Sequence, residues 1–206
     1  NGKTTTTSLT YHILREAGLD VGLAGNIGRS LALQVAEDPH AYYVIELSSF
    51  QLDNMYRFKA DIAVLMNITP DHLNRYGGEM QRYVDAKLRI LQNQTRADAF
   101  IYWADDPILR REVAKHHPEA TCYPFSDADR PELKGRLTAD GQICIETLRG
   151  TLRIPRTALA LRGTHNLYNS LAAATAARLA GADDASIRRG LETFRGVEHR
   201  LEPVAR

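Results

Sequence analysis

The sequence predicts an α/β fold: a mostly parallel, P-loop-type sheet with helices on both faces, plus a small antiparallel side sheet. Three observations predict it. Short apolar or β-branched runs at 21–24, 42–47, 62–66 and 99–103 alternate with segments of helical periodicity. Runs that are apolar throughout belong to strands buried on both faces, as in a parallel sheet covered by helices. The chain also opens on Asn1-Gly2-Lys3-Thr4-Thr5, which reads as the second half of a phosphate loop running into a helix. Finally, residues 142–146 and 151–154 flank Leu148-Arg149-Gly150 and read as a hairpin, expected outside the parallel sheet.

Taken in order, Leu9, Tyr11, Ile13, Leu14 and Ala17 follow roughly helical spacing after the Gly-Lys-Thr step, and Gly18 supplies a stop. The strand that such a loop requires, and the loop's opening glycine, are expected just upstream of Asn1. Further helices are expected over 28–36, 79–93, 108–116, 165–180 and 186–194. The stretch 169–180 is alanine-rich, which suits close packing on a sheet. Residues 124–141 are dense in turn formers and read as a surface excursion before the hairpin.

Composition narrows the function classes. Twenty-six Lys and Arg against 25 Asp and Glu leave a formal charge of +1, so no net basic field favours nucleic acid or an anionic membrane. Phosphate recognition must therefore be local. There is neither an apolar run long enough to span a bilayer nor a signal-peptide pattern, and the cytoplasm is the expected compartment. Cys122 and Cys144 lack metal or redox spacing and read as ordinary small apolar residues.

Three polar clusters carry the candidate chemistry. Gly2-Lys3-Thr4-Thr5 at a helix start gathers backbone N–H groups, the helix dipole, an ammonium and hydroxyls around one point, as a nucleoside triphosphate and its magnesium require. The same residues also fit a plain turn with a solvated lysine. Glu46 follows the run Tyr42-Tyr43-Val44-Ile45 and is expected at a strand's carboxyl end, where ligand sites of open α/β sheets form. A carboxylate there either holds a metal or makes an ion pair. His72, in a polar cluster that ends the next apolar run, reads as a metal ligand, a phosphate contact or an exposed loop histidine.

Asn1-Gly2-Lys3-Thr4-Thr5, Gly25-Asn26-Ile27-Gly28, Glu46-Leu47-Ser48-Ser49-Phe50-Gln51-Leu52, the run from Asn67 to Tyr76, Ala86-Lys87-Leu88-Arg89-Ile90, Gly163-Thr164-His165-Asn166 and His199-Arg200 resemble, in order, the signature blocks of the Mur ligase family. They run from the first residue almost to the last. Ser48-Ser49-Phe50-Gln51-Leu52 resembles the family's D-glutamate-adding branch in particular. The resemblance implies an ADP-forming, carboxylate-amine ligase of peptidoglycan synthesis whose substrates are ATP, UDP-N-acetylmuramoyl-L-alanine and D-glutamate. ATP phosphorylates the acceptor carboxylate, and the amine then attacks the acyl phosphate.

It also implies roles. Lys3, with Gly2, Thr4 and Thr5, contacts the terminal phosphates; Thr4 and Glu46 hold one Mg²⁺, and His72 helps hold a second. Asn26 lies near the transferring phosphate. Asn166 and Asn169 contact the adenine side, with His199 and Arg200 closing over the nucleotide. Lys87 lies where several family members carry a lysine carbamylated by carbon dioxide, which turns an ammonium into an oxygen ligand for the second Mg²⁺. A uridine-nucleotide-binding domain before this one and a closing domain after it do not fit in 206 residues. The chain is thus expected to be the central ATP-binding domain, monomeric, and inactive in amide formation by itself. Another Mur-type ligase or a folylpolyglutamate synthase is the nearest enzyme alternative, and a P-loop NTP-binding module without ligase chemistry is the alternative from another class.

Overall fold

On three adjacent strands, successive side chains feed two different hydrophobic layers, and this alternation fixes the architecture of the computed structural model, which describes residues 1–71 and 73–196. Strand β3 (Ile62–Leu65) sends Ile62 and Val64 to one layer and Ala63 and Leu65 to the other. β4 (Ala99–Trp103) does the same with Ala99 and Ile101 against Phe100, and β5 (Thr121–Phe125) with Tyr123 and Phe125 against Cys122. Phe100, Ile101 and Phe125 are at most 1% exposed. Burying each side chain of this size contributes about 1.5–3 kcal/mol, so these strands anchor both layers.

Helices cover both faces, as expected. On one side lie α1 (Lys3–Glu16), α6 (Thr164–Leu179) and α7 (Asp184–Thr193); on the other lie α4 (Met80–Leu88) and α5 (Pro107–His116). α6 is buried nearly all round, and Ala172, Ala173, Ala174, Ala176 and Ala177 let it approach the sheet closely. α7 comes so near α1 that a Cβ on Gly190 would lie 2.6 Å from Ile13 Cγ1. Glycine here costs about 1 kcal/mol of helix propensity but admits Ile13 to the core. Gly18, at φ +71, ends α1 with its N–H donated to the Arg15 carbonyl at 2.9 Å, and the Leu19 N–H reaches the Leu14 carbonyl at 3.1 Å.

The strands form two sheets. β1 (Val21–Gly25) and β2 (Tyr42–Glu46) pair in parallel. The larger sheet has the order β3-β4-β5-β6-β7-β8, with β6 (Gly135–Leu137), β7 (Gln142–Thr147) and β8 (Gly150–Pro155). β3 to β6 are parallel, and β6-β7-β8 are antiparallel. The fold class is the one the sequence predicts, with one difference: the hairpin is hydrogen-bonded to the parallel strands through β6 instead of standing apart. Residues 124–141 are accordingly no mere surface excursion, since they contain the end of β5 and all of β6. Short elements also went unpredicted, among them α3 (Ser49–Asp53) and a 3-10 turn over Leu73–Tyr76. The helix expected from residue 28 begins later, as α2 (Leu31–Glu37), because residues 25–28 form a tight turn.

Among the described strands, β2 pairs only with β1 and β3 only with β4. Their other edges face a shared cleft of about 470 Å³, also lined by Thr6, Thr10 and Leu14 of α1 and by Ala176 and Ala180 near the end of α6. Lys59, ion-paired with Asp61 at 2.9 Å and Asp98 at 2.6 Å, lines the end from which β3 starts. The other end carries the candidate chemistry.

Candidate functional site

Lys3, Glu46, Asn67 and Lys87 come from four parts of the chain and line the same cleft. Glu46 is the last residue of β2, as the sequence predicts, and is 6% exposed. Its Oε2 is buried and has no hydrogen-bond partner among the described residues. A lone carboxylate oxygen in that position is costly unless a cation or donor meets it. Lys3 is the first residue of α1 and is exposed, while Thr4 and Thr5 behind it are half-buried. Among the described residues no side chain caps this helix, which leaves its first-turn N–H groups available to an anion.

The loop Gly25-Asn26-Ile27-Gly28 is built against the end of β2. Gly25 has φ +101, and a Cβ there would lie 2.1 Å from the Glu46 carbonyl oxygen. Only glycine allows that approach, which brings the Asn26 N–H to the same carbonyl at 2.9 Å. Asn26 is thereby fixed beside Glu46 with its side chain exposed.

Lys87 lies in α4 and is half-buried. Burial, and next the charge of Lys3, push its ammonium down to about 8; Asp71 opposes the shift. Its Nζ sits 4.9 Å from the centre of the Tyr83 ring, one helical turn back. Tyr83 is buried against Tyr76, with ring centres 5.5 Å apart, and the Tyr76 hydroxyl donates to Asp53 Oδ2 at 3.1 Å. Tyr76 also stacks on Phe50 at 6.3 Å. The block Ser48-Ser49-Phe50-Gln51-Leu52 starts α3 with a capping box: the Ser48 hydroxyl accepts the Gln51 N–H at 3.3 Å, and Gln51 Oε1 accepts the Ser48 N–H at 2.9 Å. That box orients Phe50 toward the aromatic cluster under Lys87.

Asn166 and Asn169 are buried at the start of α6 and tied to α1. Thr6 Oγ1 donates to Asn169 Oδ1 at 3.2 Å, Asn169 Nδ2 to Asn166 Oδ1 at 3.2 Å, and Asn166 Nδ2 to the Arg162 carbonyl at 2.8 Å. Gly2, at φ +81, packs so close to Asn169 that a Cβ would lie 2.5 Å from its Oδ1. The two asparagines therefore adjoin the loop that begins α1.

His72, His199 and Arg200 lie outside the described residues. Among the described residues, no group of three or more His, Cys, Asp or Glu could hold a metal ion. No helix among them is long and apolar enough to cross a membrane.

Sequence reasoning missed Asp106, which holds the exit from β3. Buried at 4% exposure, its Oδ1 accepts the Leu109 N–H at 2.8 Å as the N-cap of α5, and its Oδ2 accepts the Ile68 N–H at 3.1 Å. Asp-Pro ahead of an apolar helix was the available signal. Tyr76 and Tyr83 were missed as well. Tyr83 could have been found from its four-residue spacing to Lys87, whereas Tyr76 reaches the site only through the fold.

The chain matches the model of the Mur ligase middle domain over residues 1–177. It is 63% identical over 206 residues to a Bacteroides fragilis protein named UDP-N-acetylmuramoylalanine–D-glutamate ligase, covering 100% of this chain and 46% of that protein. The chain thus spans about half the length of the curated relatives it matches. In fold it resembles a solved UDP-N-acetylmuramoyl-L-alanyl-D-glutamate–2,6-diaminopimelate ligase, at a TM-score of 0.77 and 20% identity, covering 100% of this chain and 47% of the other. It also resembles the MurF ligase of Thermotoga maritima solved in complex with ADP, at a TM-score of 0.64 and 21% identity, covering 94% and 46%. With a family model matched over most of its length and the same architecture in those structures, the chain belongs to the Mur ligase middle domain family.

Proposed function

We propose that this chain is the ATP-binding segment of an ADP-forming ligase that joins D-glutamate to UDP-N-acetylmuramoyl-L-alanine through an acyl phosphate on the acceptor carboxylate. The observation that carries the reading is the convergence of Lys3, Glu46 and Lys87 on one cleft, with a buried Glu46 oxygen that has no partner among the described residues. The whole-chain identity to the B. fragilis ligase supports the choice of D-glutamate and of this acceptor. The ADP in the T. maritima relative supports an adenine nucleotide.

Each residue contributes in a definable way. Lys3 and the free N–H groups of the first turn of α1 meet the terminal phosphates, with Gly2 allowing the loop to run close and Thr5 backing it. The Asn26 side chain, fixed beside Glu46, reaches the transferring phosphoryl group. Asn166 and Asn169 hold the nucleotide on the side away from the reaction, and their hydrogen bonds to Thr6 keep that side in register with the phosphate loop.

The donor set suits Mg²⁺, a hard cation that takes oxygen ligands: the Glu46 oxygen left without a described partner would be one ligand, and the Thr4 hydroxyl would be a second. When bound, Mg²⁺ supplies neutralisation of the charge that spreads over the phosphoryl oxygens. Lys87 as an ammonium would repel a cation, and as a carbamate would join His72 in holding a second one. Carbamylation needs the neutral amine, which the burial of Lys87 and the nearby Lys3 favour. Assaying a full-length ligase that carries this segment with D-glutamate, L-lysine and D-Ala-D-Ala tests the reading. Product should form with D-glutamate alone, and preference for either other amine would overturn it.

A further inference from the structure

Just beyond the end of β3, Asn67 turns its side-chain amide onto the main chain of Asn1. The Asn1 nitrogen donates to Asn67 Oδ1 at 2.8 Å, and Asn67 Nδ2 donates to the Asn1 carbonyl at 3.1 Å. One amide thus engages both backbone groups of one residue. Neither bond uses the Asn1 side chain, and a peptide N–H at that position supplies the single hydrogen that the first bond needs. Asn67 is itself held. Ile68, next in the chain, is 2% exposed and donates its N–H to Asp106 Oδ2 at 3.1 Å, while Asp106 Oδ1 caps α5 through the Leu109 N–H at 2.8 Å. After Asn1 comes Gly2, which packs against Asn169 of α6 and accepts the Thr6 N–H at 2.9 Å through its carbonyl. Asn1 and Gly2 are therefore gripped by one asparagine from the exit of β3 and another from α6, and Lys3 follows them directly.

We propose that Asn67 is a positioning residue for phosphoryl transfer, its amide clamping the Asn1 main chain and so setting where the first turn of α1 presents Lys3 and its N–H groups. The inference rests on the phosphate role proposed above for Lys3 and adds a residue that acts only through the loop in front of it. That loop needs an outside hold. Gly2 has φ +81, and a glycine that reaches this conformation easily also leaves it easily. A shift of the Asn1 backbone passes through it to the helix start, where a displacement of about 1 Å can cost about 100-fold in rate. A clamp and a ligand differ in chemistry. An Asn67 that served by offering its oxygen to a cation would be replaced well by a carboxylate, whereas a carboxylate has no N–H for the Asn1 carbonyl and repels it.

Variants of a full-length ligase carrying this segment test the proposal. Asn67→Ala should lower kcat/KM for ATP about 5- to 100-fold, the range for losing two neutral hydrogen bonds. Affinity for adenosine should move less than about twofold, because adenosine has no phosphates for the loop to meet. Amide hydrogen exchange over residues 1–6 should speed up at least about threefold, with β7 and β8 unchanged. Asn67→Asp should be no more active than Asn67→Ala. In the Lys3→Ala background, Asn67→Ala should cost less than about threefold further, because its effect passes through the loop that carries Lys3. Circular dichroism checks that each variant is folded, and Asn67→Ser, with one hydroxyl at shorter reach, replaces Asn67→Ala if that variant does not fold. Near-normal activity of Asn67→Asp, unchanged exchange over residues 1–6, or losses additive with Lys3→Ala would each overturn the positioning role. Near-normal kcat/KM of Lys3→Ala alone, with loop exchange still raised in Asn67→Ala, would instead overturn the phosphate role of Lys3, and the functional part of the proposal with it.

Discussion

Replacing Asp106 with alanine removes two hydrogen bonds at a point where a helix start and a strand exit share one carboxylate. Its Oδ1 caps α5 through the Leu109 N–H, and loss of such a cap costs about 1 kcal/mol. Its Oδ2 accepts the N–H of Ile68, a residue only 2% exposed, and stranding that donor away from water costs about 1–3 kcal/mol. Asp106→Ala should therefore destabilise the chain by about 2–4 kcal/mol, read as a lower urea midpoint at unchanged slope. Asp106→Asn should fall between the two, because an amide offers one oxygen where the carboxylate offers two. The ligase should also lose turnover, since Ile68 directly follows Asn67, which lines the cleft. A destabilisation below about 1 kcal/mol for the alanine variant would refute the reasoning, because it would mean that the Ile68 N–H finds another acceptor.

Three further outcomes follow from the same geometry. Lys3→Ala should weaken ATP binding more than adenosine binding by calorimetry, and equal weakening of both would remove its phosphate role. Lys87, held down to about 8 in the fold against an ordinary 10.5, binds fewer protons folded than unfolded between those values. Its burial thus costs stability in full below pH 8, and the cost fades as pH rises toward 10.5. Lys87→Met should accordingly raise stability at pH 7 by about 1–3 kcal/mol, with the gain vanishing near pH 10.5 in parallel denaturation curves; a gain independent of pH would show that packing, not charge, is responsible. Gly25→Ala forces a Cβ to 2.1 Å from the Glu46 carbonyl at a strained φ, so it should both destabilise the chain and weaken nucleotide binding; wild-type thermal stability would contradict that contact.

Much of this site was legible in the sequence because its parts are local. Lys3 sits at a helix start, Glu46 ends an apolar run, and Lys87 lies in a short block on a helix, so motif and periodicity suffice to place each. Their meeting in one cleft was legible only through the family resemblance, since no spacing rule joins residues 3, 46 and 87. β6 escaped because Gly135-Arg136-Leu137 is three residues long and pairs with β5 at a single register position, Phe125 with Gly135. Nothing local therefore signals that the hairpin joins the main sheet. α3 escaped because five residues are too few for periodicity, although Ser48 and Gln51 carried a capping signature. Tyr76 was invisible for the opposite reason: its partners Phe50, Asp53 and Tyr83 come from elements that only tertiary packing brings together.

The central claim is that this nucleotide site serves amide formation, and phosphate release tests it most directly. Release from ATP by a full-length ligase carrying this segment would be followed with UDP-N-acetylmuramoyl-L-alanine and D-glutamate supplied separately and together. Sustained phosphate release matched by amide product, only when both are present, is the predicted result. Turnover of ATP at the same rate without either of them would contradict the account and leave a nucleotide-hydrolysing module in its place.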